Sequence, residues 1–237
     1  MPSFGERLSR QHLIFDADDT LWENNVYFER AVDEFLDFLA HATLTRDAVR
    51  AVLDEIERAN LAVHGYGSRA FAANLRQTYE HLAERDLDEA SLTTVMAFGE
   101  RILSQELELI AGVEETLAYL APRHDLTLLT KGHPEEQRLK IDRSGLAGFF
   151  RHAEVVAEKD AAAYHALVGR LGLDPTRTWM VGNSPKSDVN PALAAGLNAV
   201  FIPHPATWRL EHAEVVAPLT GRLLLELGRF ADLLDHF

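Results

Sequence analysis

Leu13-Ile14-Phe15 is a short apolar run with the composition of a buried strand, and no stretch between Trp22 and Gly112 could pair with it. In that interval apolar residues recur at helical spacing with charges between them, over Tyr27 to Ala40, Arg46 to Leu61, Arg69 to Ala83 and Ser91 to Ile110. Four helices are expected, with Thr45 and Asp88 as N-caps of the second and fourth and a Gly65–Gly67 turn between the second and third. From Gly112 the pattern alternates. Helices are expected near Val113 to Leu120, Glu135 to Ser144, Ala161 to Leu171 and Pro191 to Ala195, and strands at Leu126 to Thr130, Val155, Trp179 to Val181 and Ala199 to Ile202. Pro134 is suited to opening a helix, Pro203 and Pro205 bracket a loop, and a last helix is expected over Leu219 to Leu234. The first strand has to rejoin this later sheet. The expectation is an α/β core from residues 1–22 and 111–237, a parallel sheet with helices on both faces, interrupted by a helical bundle at 23–110.

The ends of the strands carry the chemistry. The first runs into Asp16, Asp18, Asp19 and Thr20. Clustered carboxylates repel, and a hard cation such as Mg²⁺ removes that cost; a solvated turn is the plainer alternative. The second strand ends at Thr130-Lys131-Gly132, the third leads to Lys159, and the fourth passes through Gly182-Asn183-Ser184 to Asp188. In parallel α/β sheets ligands bind beyond the carboxyl ends of the strands, where all four sets would fall.

In this order the residues resemble the four motifs of the haloacid dehalogenase-like superfamily, in its phosphatase branch. Asp16-x-Asp18-x-Thr20 corresponds to the first motif, Thr130 to the second, Lys159 to the third and Gly182 through Asp188 to the fourth. The chain departs from the family in having Asp19 where Gly is frequent and Asn183 where Asp is frequent. The resemblance implies a Rossmann-like core with a helical cap. It also implies a Mg²⁺-dependent phosphatase acting on a small phosphate monoester, of sugar phosphate, phosphoglycolate or nucleotide type, with a phosphomutase as a variant. Asp16 would be the nucleophile and a Mg²⁺ ligand. Asp18 would be the general acid and then base, with its main-chain carbonyl on the metal. Thr130 would bind phosphoryl oxygens, Lys159 would offset their charge, and Asp188 would complete the metal site. Asn183 could act on the metal through water. A 2-haloacid dehalogenase would use the same Asp16 but leave Asp18 without a task, because halide departs unprotonated. A non-catalytic metal- or phosphate-binding module is the third alternative.

Substrate contacts are expected from Thr20, Lys131, Asn183 and, near turns that could face a cleft, Tyr66, Arg69 and His133. Each also has a plainer account. Lys159 could be an exposed helix-start lysine, Thr130 a strand end, Asp188 an N-cap, and the turn residues simple surface.

Composition narrows the field. A chain of 237 residues can bury roughly 70–75% of its unfolded surface without staples. It has no Cys, hence no disulfide, thiolate ligand or catalytic thiol. Residues Met1 to Gln11 lack the apolar core of a signal peptide and there is no long apolar run, so a cytoplasmic protein without membrane contact is expected. A net charge of −14, from 23 basic and 37 acidic residues, argues against nucleic acid as a partner but leaves room for a small anion beside local cations. Oligomeric state has no sequence signature. Gly65-Tyr66-Gly67-Ser68-Arg69-Ala70 spells a dinucleotide fingerprint, but a charged helical stretch stands where the strand is required. Asp16 to Tyr27 lacks the Gly and Glu of a calcium loop.

Overall fold

The structure, a computed structural model, describes residues 8–237; the first seven residues of the polar opening segment lie outside it. The chain divides into two compact units, one of residues up to Glu23 together with Leu107–Phe237, the other Asn24–Glu106.

The first unit is built on six parallel strands. They are β1 (His12–Phe15), β2 (Asp125–Lys131), β3 (His152–Val156), β4 (Thr178–Gly182), β5 (Asn198–Phe201) and β6 (Leu224–Glu226). Their spatial order is β3-β2-β1-β4-β5-β6, with the earliest strand near the middle. Phe15 pairs with Leu128 on one side and Val181 on the other. Period-two alternation sorts side chains between the two faces. Leu13, Phe15, Leu126, Leu128, Trp179 and Val181 join one core with Val113, Leu117 and Leu120 of α5 (Val113–Leu120). Ile14, Leu129 and Met180 join the other with Tyr164 and Leu167 of α7 (Ala161–Leu171). Helices therefore cover both faces, as expected, and the continuous apolar strands reflect that double burial.

The second unit holds α1 (Asn25–Leu39), α2 (Arg46–His64), α3 (Ser68–Leu82) and α4 (Glu89–Glu100) around Phe35, Leu53, Leu75, Tyr79 and Val95. Thr45 and Asp88 accept from the amides of Ala48 and Ser91 as N-caps. Among the described residues no helix is long and apolar enough to cross a membrane.

Two expectations are corrected. The fourth helix does not reach Ile110: it ends at Glu100, passes through a 3-10 turn at Arg101–Ser104, and the chain then runs extended. Leu109 bridges Trp22 and the Ile110 amide donates to Leu21, so pairing with the outgoing segment replaces helical bonds. The terminal helix expected over Leu219 to Leu234 is instead β6 and a 3-10 segment, Phe230–Asp235. Leu224 and Leu225 pair in register with Ala199 and Val200 at the sheet edge, and a short apolar run between Gly221 and Gly228 cannot declare helix or strand by periodicity alone.

Candidate active site

β1 pairs with β2 on one side and β4 on the other, so its carboxyl end is where the strand order changes direction. Open α/β sheets bind ligands at that point. Asp16 follows β1 directly, its amide still donating to Val181 of β4. Asp188 comes from a single π-helical turn, Pro185–Val189, between β4 and α8 (Asn190–Ala194). Lys159 comes from the loop after β3. These three remote residues meet: the Lys159 ammonium bonds Asp16 Oδ1 and lies 2.7 Å from Asp188 Oδ1. All three are buried.

One ammonium thus faces two buried carboxylates. Burial works against the Lys159 charge, but Asp16 and Asp188 outweigh it and hold the lysine above its usual range. Burial and the neighbouring Asp16 push the Asp188 carboxyl up to about 7, against the pull of Lys159. An excess of negative charge enclosed among hard oxygen donors suits a divalent cation such as Mg²⁺.

Gly182 makes this placement possible. A Cβ there would stand 2.3 Å from Asp188 Oδ2 and 2.7 Å from its Cβ. Gly182→Ala is expected to cost about 1–3 kcal/mol through overpacking, read as a lower denaturation midpoint. A midpoint equal to wild type would mean that the π turn yields freely.

Around Asp16, the Thr20 hydroxyl lies 3.0 Å from Asp16 Oδ2 and 3.2 Å from Asn183 Oδ1, and its single proton can serve either. Asn183 in turn donates to Thr207 at 2.9 Å. Thr130 is buried at the carboxyl end of β2, two residues beyond the partner of Phe15. Asp19 has φ of 61°, the left-handed region that Asp tolerates better than most residues, which explains why glycine is frequent there in the family it resembles.

Asp18 and Lys131 depart from expectation. The Asp18 carboxylate is gripped by Lys140 at 2.6 Å, Gln137 at 2.8 Å and the Trp22 indole at 2.7 Å. Burial opposes its charge, but Lys140, Gln137 and Trp22 outweigh it and hold the acid below the usual carboxylate range, the opposite of a poised general acid. Gln137 and Lys140 stand three residues apart on one face of α6 (Pro134–Ser144), where the sequence pattern announced a helix but no site residue. Lys131, expected on the substrate, is paired with Glu211 at 2.6 Å and Ser187 at 2.7 Å, because the turn after β4 lies against the end of β2. Burial opposes the Glu211 charge as well, and Lys131 with two serines holds it below the usual range. Ser184 and Ser187 lie inside the fourth motif without having been given a role, and Glu211 and Thr207 had no motif to betray them.

Tyr66 lies in the α2–α3 turn of the helical unit and Arg69 in the first turn of α3. His133 is at the N-cap of α6, with Nδ1 buried and unpaired. Asp19, Glu23 and His204 form a further group whose ligand atoms lie within 4.8 Å of one another, a set able to hold a metal ion that the motifs did not suggest.

A family model described as haloacid dehalogenase-like hydrolase matches residues 11–196. The chain belongs to the haloacid dehalogenase-like hydrolases. A hydrolase of that family from Xanthomonas campestris has the same fold with a TM-score of 0.81 and 30% identity, over 96% of this chain and 91% of that one. Phosphoserine phosphatase of Thermus thermophilus is 35% identical over 82 residues, a match spanning 32% of this chain and 33% of that protein. A 2-haloacid dehalogenase from Pseudomonas syringae shares the fold, with a TM-score of 0.58 and 21% identity over 95% of this chain and 97% of that one. Membership in this family shows a hydrolase, and the finer chemistry falls to individual residues.

Proposed function

We propose that this hydrolase is a Mg²⁺-dependent phosphatase that cleaves a small phosphate monoester through an aspartyl-phosphate on Asp16. The observation that carries the reading is the meeting of Asp16, Lys159 and Asp188 at one buried point. Asp16 and Asp188, with the Asp18 main-chain carbonyl and Asn183 beside them, would hold the ion. When bound, Mg²⁺ neutralises charge on the transferring phosphoryl group.

The chain's own residues supply the rest. An Asp16 oxygen bonds to phosphorus while the bond to the leaving alkoxide breaks. Thr20, 3.0 Å from Asp16 Oδ2, holds the nucleophile, and Lys159 holds its other oxygen. Thr130 donates to a phosphoryl oxygen. Asp18 gives its proton to the leaving oxygen and later takes one from the water that cleaves the acyl phosphate. Held ionised by Lys140, Asp18 is ready for the second of these tasks. The approach of a phosphate dianion raises a nearby carboxylate and equips it for the first. Halide departs unprotonated, so a proton-transferring role for Asp18 belongs to phosphoryl rather than dehalogenase chemistry. The helical unit is assigned the part of a cap, excluding water and selecting the leaving group, with Tyr66 and Arg69 as its substrate contacts. The small phosphorylated metabolite is the partner, and the cytoplasm the expected compartment.

The test is release of phosphate from p-nitrophenyl phosphate with Mg²⁺ and with EDTA, alongside halide release from 2-chloropropionate. Mg²⁺-dependent phosphate release is expected. Halide release without Mg²⁺ would establish the dehalogenase, and neither activity would leave a binding module.

A further inference from the structure

Segment 204–216, which follows β5, is fastened along its length to segment 183–190, which carries Asp188. Asn183 donates to Thr207, the Lys186 ammonium reaches the carbonyl of Leu210 at 2.8 Å, and Asn190 bonds the backbone of Glu214 and Val216. At the centre of this seam lies Glu211, 7% exposed. Its Oε2 accepts from the hydroxyls of Ser184 at 2.6 Å and Ser187 at 2.5 Å, and its Oε1 accepts from Lys131 at the end of β2. The same Ser184 gives its amide proton to Asp188 Oδ2 at 3.0 Å, and its hydroxyl accepts from the Ser187 amide at 2.9 Å.

A buried carboxylate is costly, and the proposed reaction has no use for this one. Hydrophobic residues could close the same gap more cheaply. What a charged, fully bonded group adds is direction: it draws both serines and one lysine to a single point and so limits the paths that the turn between them can follow. We infer that Glu211 is a positioning residue that sets the metal-facing orientation of Asp188 by clamping Ser184 and Ser187 against Lys131. The inference rests on the proposed role of Asp188 as a Mg²⁺ ligand. Partners that orient a ligand in this way typically account for roughly 10–100-fold in metal affinity.

The experiment compares the wild-type chain with Glu211→Gln, measuring the Mg²⁺ concentration for half-maximal p-nitrophenyl phosphate hydrolysis, kcat at saturating Mg²⁺ and the thermal midpoint. The expected result is a half-saturation raised roughly tenfold or more, with kcat largely regained at high Mg²⁺ because Asp16 and Lys159 are untouched. Where Glu211→Gln does not fold, Ser187→Ala decides. It keeps the Lys131–Glu211 pair and the Ser184 link but cuts the hydroxyl bonds of Ser187 to Glu211 and Lys131, and it should raise the half-saturation by a smaller factor. An unchanged Mg²⁺ response in a folded variant, or a kcat that stays depressed at saturating Mg²⁺, overturns the inference while leaving the proposed reaction intact. A wild-type chain whose activity ignores Mg²⁺ overturns both.

Discussion

Asp16→Asn is expected to lower phosphate release on the order of 10⁴–10⁶-fold, the scale on which removal of a covalent nucleophile acts. The amide keeps the shape of the side chain and can still take part in hydrogen bonds with Thr20, so the loss will be in chemistry rather than folding. The electrostatics reinforce this separation. In the wild type, Lys159 faces two carboxylates, and Asp16 is one reason that Asp188 is pushed upward. With Asn at 16, one ammonium meets one carboxylate, and stability in the absence of metal should match or exceed that of the wild type. The measurement is turnover together with a denaturation midpoint on freshly purified protein, checked by mass for deamidation. Turnover near the wild-type level in protein shown to carry Asn would remove Asp16 from the mechanism.

Lys159→Met should do the reverse and strike stability hard. It leaves Asp16 and Asp188 enclosed together without a cation, and removal of one partner from a buried pair costs about 3–5 kcal/mol. For a chain of this size that is a fall on the order of 10 °C in midpoint. The dependence on pH has a definite sign. Burial and the neighbouring Asp16 raise the folded-state affinity of Asp188 for a proton above that of the unfolded chain, so the deficit is smallest below the unfolded value of about 4 and widens as pH rises toward neutrality. Added Mg²⁺ should narrow the deficit by binding the folded state. A variant as stable as the wild type at neutral pH in EDTA would contradict the picture of Lys159 as the counter-charge to Asp16 and Asp188.

How much of this was readable in advance depended on whether a residue announced itself through pattern or through partners. The strands and most helices declared themselves, because double burial makes a parallel strand apolar throughout and a surface helix apolar along one stripe. β6 did not, since its three residues lie between glycines at the sheet edge and match a helical stripe equally well. In the site, Asp16, Lys159 and Asp188 were legible because strand ends in such a sheet converge by construction. The grip of Lys140 on Asp18 was not: a lysine midway along a charged helix looks the same whether it meets water or a carboxylate. The pairing of Lys131 was hidden for a related reason: a cation beside a phosphate motif invites a phosphate, while Glu211, eighty residues on, carried no mark of it.

The way in which the helical unit is attached has its own consequence. The Glu23 amide donates to the Glu108 carbonyl at 2.9 Å, and Trp22 bridges Leu109, so the strands of backbone leaving and rejoining the sheet run side by side at one gate. A graft made there has matched ends waiting for it. The length and shape of whatever lies between can change wholesale without shifting the register of β1 by a residue.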